Sequence, residues 1–150
     1  GPAKAVIIKA ALQLAIEKEK DKLPLGKTIS SQSDLLAFLQ QRIGNETREH
    51  FLVLYLNRRS KLIKTETLSI GGTTATIVDP RILLRHAIEV QASYIILSHN
   101  HPSGNPQPSN EDRALTQKLK DAAKLFDITV LDHLIVTPDQ HYSFSEDGQM

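Results

Sequence analysis

The sequence contains no cysteine among its 150 residues, and this absence narrows the chemistry open to the protein. A disulfide framework, a thiol nucleophile and every metal site built on thiolates are excluded. Any bound metal ion must therefore be held by histidine and carboxylate side chains, and the sequence offers six histidines for this purpose.

Long apolar runs and an excess of charge of one sign are missing as well. Uninterrupted apolar stretches reach only a few residues, as at 51–56 and 94–97, so no segment predicts a membrane span or a secretory signal core. The formal net charge of +1 gives no overall field for DNA binding, and the basic stretch at 58–64 is interpreted as a solvated turn. We expect a soluble, cytoplasmic domain with a hydrophobic core of its own.

Periodic patterns along the sequence predict alternating helices and strands. Helical spacing occurs at 3–19, 31–43, 80–92 and 110–126, and strand patterns occur at 51–56, 61–70, 94–98, 128–136 and 142–144. This alternation predicts an α/β fold, a three-layer sandwich with a mixed β-sheet. A change of pattern near Gly44 predicts a helical segment with a linker at 1–44 and an α/β domain at 45–150. In the later helices we expect Ile88 and Phe126 to face the core.

The segment 98–112 has a residue pattern that is typical of a metal site. In extended backbone, residues i and i+2 point the same way, so His99 and His101 can present two imidazoles on one side while Asn100 faces the other. A loop with three prolines and a glycine follows, and Asp112 lies in the first turn of the next helix, where its carboxylate can supply a third ligand. Two histidines, a carboxylate and an open position for water form a catalytic type of zinc site.

A structural interpretation of the same residues stays open. His-x-His alone is a weak signal, and Ser109 with Asp112 also matches a capping box, which needs no metal. Both interpretations of Ser109 are compatible, because a capping hydroxyl beside a metal can also contact a bound oxyanion. The joint pattern is much rarer than any one of its parts, and we therefore favour the metal site.

The same residues carry a resemblance to a known family. The spacing His-x-His, seven residues, Ser, two residues, Asp is similar to the JAMM motif of MPN-domain metallopeptidases; it falls on His99, His101, Ser109 and Asp112. The longer strings His-Asn-His-Pro-Ser-Gly and Pro-Ser-x-x-Asp resemble the bacterial RadC branch. Further RadC-like stretches lie at 49–57, 79–81 and 131–135, so the resemblance covers essentially the whole chain.

This resemblance implies a cytidine-deaminase-like (JAB/MPN) fold and a hydrolase in which zinc-activated water attacks a peptide or isopeptide carbonyl. The family's glutamate, which acts as general base, falls on Glu49. Ser109 would donate a hydrogen bond to the developing oxyanion. Spacing alone leaves Glu46, Glu66 and Glu89 open as alternatives to Glu49.

Three function hypotheses follow from these residues. The first is a zinc metallopeptidase or isopeptidase acting on an unknown peptide or protein substrate. The second is a DNA-repair-associated RadC-type module with a structural metal or a nucleic-acid-related activity. The third, a nucleobase deaminase, is disfavoured because that chemistry needs His-x-Glu with Pro-Cys-x-x-Cys, and the sequence has no cysteine.

The N-terminus bears on the second hypothesis. RadC-like chains commonly begin with a helix-hairpin-helix DNA-binding region, and residues 1–5 resemble the tail of its last hairpin. Alternatively, Gly1 and Pro2 are a cloning scar. In either case this sequence by itself does not support DNA binding.

The remaining histidines are expected to have lesser roles. His133, next to Asp132 in a predicted strand, is interpreted as structural. His50 follows Glu49 and so points to the opposite face of its strand, and His86 and His141 are expected at the surface.

Overall fold

The structure, a computed structural model, describes residues 31–71 and 78–150. The helix predicted at 3–19 and most of the linker that follows it lie outside the described residues. Three helices and five strands occur in the described part: α1 (Gln32–Ile43), β1 (His50–Leu56), β2 (Leu62–Ile70), α2 (Pro80–Glu89), β3 (Tyr94–Asn100), α3 (Asn110–Lys124), β4 (Thr129–Val136) and β5 (His141–Ser143).

The five strands form one sheet in the order β2-β1-β3-β4-β5. Strand β1 pairs antiparallel with both β2 and β3, β3 pairs parallel with β4, and β4 pairs antiparallel with β5. The crossover from β3 to the parallel strand β4 runs through α3, as parallel neighbours require a long connection. The predicted mixed sheet is therefore confirmed.

Strand β1 is buried on both faces because helices cover both sides of the sheet. Its odd-numbered residues from Phe51 to Tyr55 join the core beneath α2 and α3, and its even-numbered residues from Leu52 to Leu56 pack in the core with α1. All six are at most 1% exposed. Successive side chains of a strand alternate between faces, so a continuous apolar run fits only a sheet in the middle layer. The result is the predicted three-layer α/β sandwich.

Side-chain caps determine where the helices begin. Ser31 accepts the Asp34 N–H at the start of α1, and Asp79 accepts the Arg81 N–H just before Pro80, the first residue of α2. Short polar side chains at these positions satisfy backbone N–H groups that have no partner within the helix. A proline at the first helical position loses nothing by lacking its own N–H.

The expectation that Ile88 and Phe126 face the core is wrong. Ile88 is 51% exposed and Phe126 is 54% exposed. In α2 the buried residues are Leu83 and Ala87, so the buried face of this helix does not include Ile88. Phe126 follows the end of α3 and precedes a left-handed turn at Asp127, with φ of 57°, which takes its side chain off the helical stripe.

None of the helices in residues 31–71 and 78–150 combines the length and apolar character needed to cross a membrane. Helix α1 packs onto the sheet through Leu35, Phe38 and Leu39. The division of the chain into 1–44 and 45–150 stays a prediction.

Candidate metal centre

The candidate site lies at the carboxyl end of β3. His99 is the next-to-last residue of that strand and is 2% exposed. His101 follows directly, and its N–H donates to the Val136 carbonyl of β4 at 3.1 Å, which continues the pairing of the two strands. The two imidazole rings are therefore on the same side, with ring centroids 4.8 Å apart, as the i, i+2 spacing predicts.

The loop at 102–109 returns the chain to the start of α3. Gly104, with φ of 85°, adopts a left-handed conformation that suits glycine. At the helix start, Ser109 Oγ accepts the Asp112 N–H at 3.0 Å, and Asp112 Oδ2 accepts the Ser109 N–H at 2.9 Å. This capping box fixes the Asp112 carboxylate at the end of α3 that faces the two histidines. The Asp112 side chain is thus part of the helix cap and also the candidate third ligand.

The distances among these groups match a tetrahedral metal site. The Nε2 atoms of His99 and His101 lie 3.0 Å apart. The Asp112 carboxylate places Oδ1 at 3.2 Å from His99 Nε2 and Oδ2 at 3.1 Å from His101 Nε2. With zinc bonds of about 2.0 to 2.1 Å, two ligands of a tetrahedral ion lie about 3.3 Å apart. The donor atoms of the three side chains are therefore spaced like ligands of one tetrahedral metal ion.

The chemistry of the donor set also fits a cation. His101 Nδ1 lies 2.9 Å from the Asn105 carbonyl oxygen, which can only accept a hydrogen bond, so Nδ1 carries the proton. A neutral His101 ring then presents an unprotonated Nε2 to His99 Nε2 and to the Asp112 carboxylate. Two acceptors, His101 Nε2 and Asp112 Oδ2, thus lie 3.1 Å apart, and a zinc ion held by two histidines and a carboxylate would satisfy them.

The pKa shifts of Asp112 and His101 also favour a bound cation. Burial by itself would raise the pKa of Asp112, but the close approach of His101 and His99 and the Ser109 N–H outweigh burial and hold the pKa of this carboxyl well below its ordinary value. Burial would lower the pKa of His101, whereas the nearby Asp112 carboxylate and the Asn105 carbonyl favour the charged ring and raise it overall. Both shifts favour an ionised carboxylate with a positive charge beside it.

Glu49 borders the same pair of histidines at a greater distance. Its Oε1 lies 3.8 Å from His101 Nε2, and one ligand atom each from Glu49, His99 and His101 lie within 4.8 Å of one another. These three residues could hold a metal ion without Asp112. We favour Asp112 as the third ligand because its oxygens approach both histidines more closely, which leaves Glu49 at the edge of the site.

Asn100 fixes the segment that carries Glu49. Its side chain is fully buried and points away from the two histidines. Its Oδ1 accepts the His50 N–H at 2.6 Å, and its Nδ2 donates to the carbonyls of Arg48 at 3.0 Å and Glu46 at 3.3 Å. The residues on both sides of Glu49 are thus tied to the end of β3.

The structure also brings His133 and Thr116 to the site, which the sequence did not indicate. His133 is fully buried, and its Nε2 lies 2.7 Å from His99 Nδ1. Thr116 Oγ1 lies 2.6 Å from His133 Nδ1. Burial lowers the pKa of His133 well below its ordinary value. His133 therefore contacts a candidate ligand directly, through the parallel pairing of β3 with β4.

Two of the alternative carboxylates are engaged elsewhere. Glu66 accepts hydrogen bonds from Tyr55 and from His86 Nδ1, the latter at 2.7 and 2.8 Å. His86, expected at the surface, is half-buried: its side chain is 20% exposed and lies against Glu66. Glu89 faces Arg85 at 3.8 Å.

Known proteins are similar to this chain over far more than the residues of the candidate site. The family model described as the RadC-like JAB domain matches residues 29–149. A UPF0758 protein of Flavobacterium johnsoniae is 42% identical over 148 residues, which cover 99% of this chain and 65% of the relative. UPF0758 proteins of Rubrobacter xylanophilus and Streptococcus gordonii are 40% and 37% identical over 150 residues, which cover all of this chain and 66% of each relative.

The chain thus spans about two thirds of the length of the curated relatives that it matches. The family match takes in the sheet, the helices and all residues of the candidate metal centre. This chain belongs to the RadC-like JAB domain family.

Proposed function

We propose that the domain is a zinc-dependent hydrolase of peptide or isopeptide bonds, with one zinc ion held by His99, His101 and Asp112. The observation that carries this proposal is the close approach of both Nε2 atoms to each other and to the two oxygens of Asp112, at 3.0 to 3.2 Å. When bound, zinc supplies a water nucleophile at neutral pH and polarises a carbonyl group.

Glu49 is the proposed general base. Its carboxylate is 21% exposed and its Oε1 lies 3.8 Å from His101 Nε2, so it can reach both the site and solvent. In hydrolysis it would accept a proton from the attacking water and pass that proton to the leaving amine. The hydrogen bonds of Asn100 to the backbone around Glu49 would keep this carboxylate in reach of the reacting groups.

Ser109 is the proposed oxyanion donor. Its Oγ accepts the Asp112 N–H, and the hydroxyl hydrogen is left to donate toward a substrate. The residue is exposed, so an incoming carbonyl can reach it. A donor placed where negative charge develops stabilises the transition state more than the ground state.

A screen of peptide and isopeptide substrates tests the proposal, with zinc-loaded protein compared to the same preparation after the metal is removed. We expect cleavage that depends on zinc and returns when zinc is added back. The second hypothesis, a RadC-type module acting on nucleic acid, predicts no cleavage in this screen and processing of DNA substrates instead. That result would reject the hydrolase assignment.

A further inference from the structure

A series of buried hydrogen bonds runs behind the candidate ligand His99. We call it the His133 network; it consists of His99, His133, Thr116 and the main-chain carbonyl of Asp112. His99 Nδ1 lies 2.7 Å from His133 Nε2, His133 Nδ1 lies 2.6 Å from Thr116 Oγ1, and Thr116 Oγ1 lies 2.7 Å from the Asp112 carbonyl oxygen. The three side chains are at most 2% exposed, so they have to satisfy one another.

The far end of the His133 network fixes the direction of its hydrogen bonds. The carbonyl oxygen of Asp112 can only accept, so the Thr116 hydroxyl donates its single hydrogen to it. Thr116 Oγ1 then has only lone pairs left for His133. His133 Nδ1 must therefore carry a proton and donate it to Thr116.

The surroundings of His133 determine its charge and the direction of its hydrogen bond with His99. Its ring stacks on Phe144 and meets Phe51 edge to face, and its two nitrogens face only His99 and Thr116 in the described residues. Burying an unpaired positive charge between aromatic rings is costly, so the ring is neutral. With its proton on Nδ1, His133 Nε2 must accept from the Nδ1–H of His99.

We propose that His133 and Thr116 are positioning residues that hold His99 in the tautomer with its proton on Nδ1, so that the Nε2 lone pair faces the metal position. The use of this tautomer rests on the proposed function, whereas the tautomer itself is a property of the metal-free protein. The same hydrogen bonds join the side chain of one proposed ligand to the backbone of another, Asp112.

His101 provides a contrast within the same site. Its tautomer is fixed by a single hydrogen bond to the Asn105 carbonyl, which no side-chain substitution removes directly. The tautomer of His99 depends on two side chains in series. Losing the Thr116 hydroxyl would let the His133 proton move to Nε2, where it would face the Nδ1 proton of His99 and favour the tautomer that cannot bind metal through Nε2.

Zinc affinity of three variants, measured by competition with a chromophoric chelator, tests the proposal. Thr116→Val keeps the shape but removes the hydroxyl, and we expect zinc binding about 10- to 100-fold weaker, as for loss of a group that supports a metal ligand. Thr116→Ser keeps a hydroxyl at this position and should bind zinc like the wild type. Thr137→Val removes another buried threonine hydroxyl, one bonded to Gln140, and should leave zinc affinity unchanged.

Equal zinc affinities of the Thr116→Val and Thr116→Ser variants would overturn the positioning role while leaving the proposed function standing. An equal loss in all three variants would also overturn it, because it would trace the effect to general destabilisation. Failure of the wild type to bind zinc would instead reject the proposed function, and a second measurement then decides the tautomer.

That second measurement is nitrogen-15 NMR of the imidazole rings in metal-free wild-type protein at about pH 8, above the ordinary histidine titration near 6.5. It needs neither zinc nor a stable variant. We expect protons on Nδ1 of both His99 and His133. A proton on Nε2 of His99, or a protonated His133 ring, would overturn the inference.

Discussion

Among the described residues, two of the clusters of histidine and carboxylate differ in how their hydrogen-bond donors and acceptors balance. The Glu66 cluster consists of Tyr55, Lys64, Glu66 and His86. Its carboxylate accepts hydrogen bonds from Tyr55 and His86, and Lys64 Nζ lies 3.5 Å away. The carboxylate is thus surrounded by donors that the protein itself supplies.

The cluster at the end of β3, formed by Glu49, His99, His101 and Asp112, has the opposite balance. The Nδ1 atoms of both histidines are engaged outside the cluster, by His133 and by the Asn105 carbonyl. What faces inward is two Nε2 atoms and the carboxylates. The same residue types therefore make a self-contained ion pair in one place and an arrangement suited to an added cation in the other.

The pKa shifts in the Glu66 cluster agree with this distinction. Burial would raise the pKa of Glu66, but the hydrogen bonds with Tyr55 and His86 lower it overall. Burial and the neighbouring carboxylate raise the pKa of Tyr55 above its ordinary value, so the phenol keeps its proton as a donor. We interpret this cluster as structural, joining β1, β2 and α2.

Removing the carboxylate charge should change zinc affinity strongly in one cluster and stability in the other. Asp112→Asn replaces an anionic ligand by a weak neutral amide, so zinc affinity should fall by at least about 10- to 100-fold. Stability of the metal-free protein should drop by only about 0.5 to 1 kcal/mol, from the capping and helix-dipole terms. Chelator competition and thermal unfolding measure the two quantities.

Glu66→Gln is the matched control in the other cluster. It should leave zinc affinity unchanged and lower the free energy of unfolding by about 1 to 3 kcal/mol, because buried donors lose a charged acceptor. If instead Asp112→Asn keeps wild-type zinc affinity, the third ligand has to be sought in Glu49.

The sequence was sufficient for the layers of the fold because the signals are local. The continuous apolar run at 51–56 matches β1, which is buried on both faces, and Pro80 and Ser109 mark the starts of α2 and α3. The His-x-His spacing in an extended strand correctly predicts that both rings face one side. That these residues bind a metal stays a prediction.

What the sequence could not indicate depends on contacts between distant segments. His133 reaches His99 only through the register of β3 against β4, in which Leu97 is opposite His133. The contact of His86 with Glu66 joins residues 20 positions apart on different elements. Local periodicity cannot predict either contact, so the sequence indicated neither the approach of His133 to His99 nor that of His86 to Glu66.

A Glu49 variant distinguishes the roles of Glu49 and Asp112, the two carboxylates that border the histidines at the end of β3. Glu49→Gln should keep zinc bound and slow hydrolysis by a factor on the order of 10² or more, because a general base is lost. Glu46→Gln, a neighbouring carboxylate on the same segment, is the control and should retain activity. Loss of zinc from the Glu49 variant would make this residue a ligand and contradict its assignment as base.

The pH dependence of stability tests the Glu66 cluster. Because the pKa of Glu66 in the folded protein lies below its ordinary value of 4.5, its contribution is complete above that pH and is lost as the pH falls toward the lowered value. The stability difference between wild type and Glu66→Gln should therefore be constant above about pH 5 and shrink below it. Denaturant unfolding across this range measures it.

Glu89→Gln serves as the control for that pH series, since Glu89 forms an exposed pair with Arg85 at 3.8 Å. Exposed pairs contribute little, so this variant should follow the wild type at every pH. A Glu66 difference that does not change with pH would mean that the carboxylate charge is irrelevant to the cluster.

The smallest effect comes from the cap of α3. Ser109→Ala should cost about 1 kcal/mol of stability, retain zinc and slow turnover through the lost oxyanion donor. Ser31→Ala removes the corresponding cap of α1 and should lower stability without slowing turnover. Equal turnover in the two variants would restrict Ser109 to capping.

Calorimetric titration of zinc into the metal-stripped wild-type protein asks whether the cluster at the end of β3 binds one zinc ion. We expect one ion per chain, with affinity that weakens as the pH falls through about 6.5 and the imidazoles become protonated. A titration without binding at neutral pH, in protein shown to be folded, would contradict it.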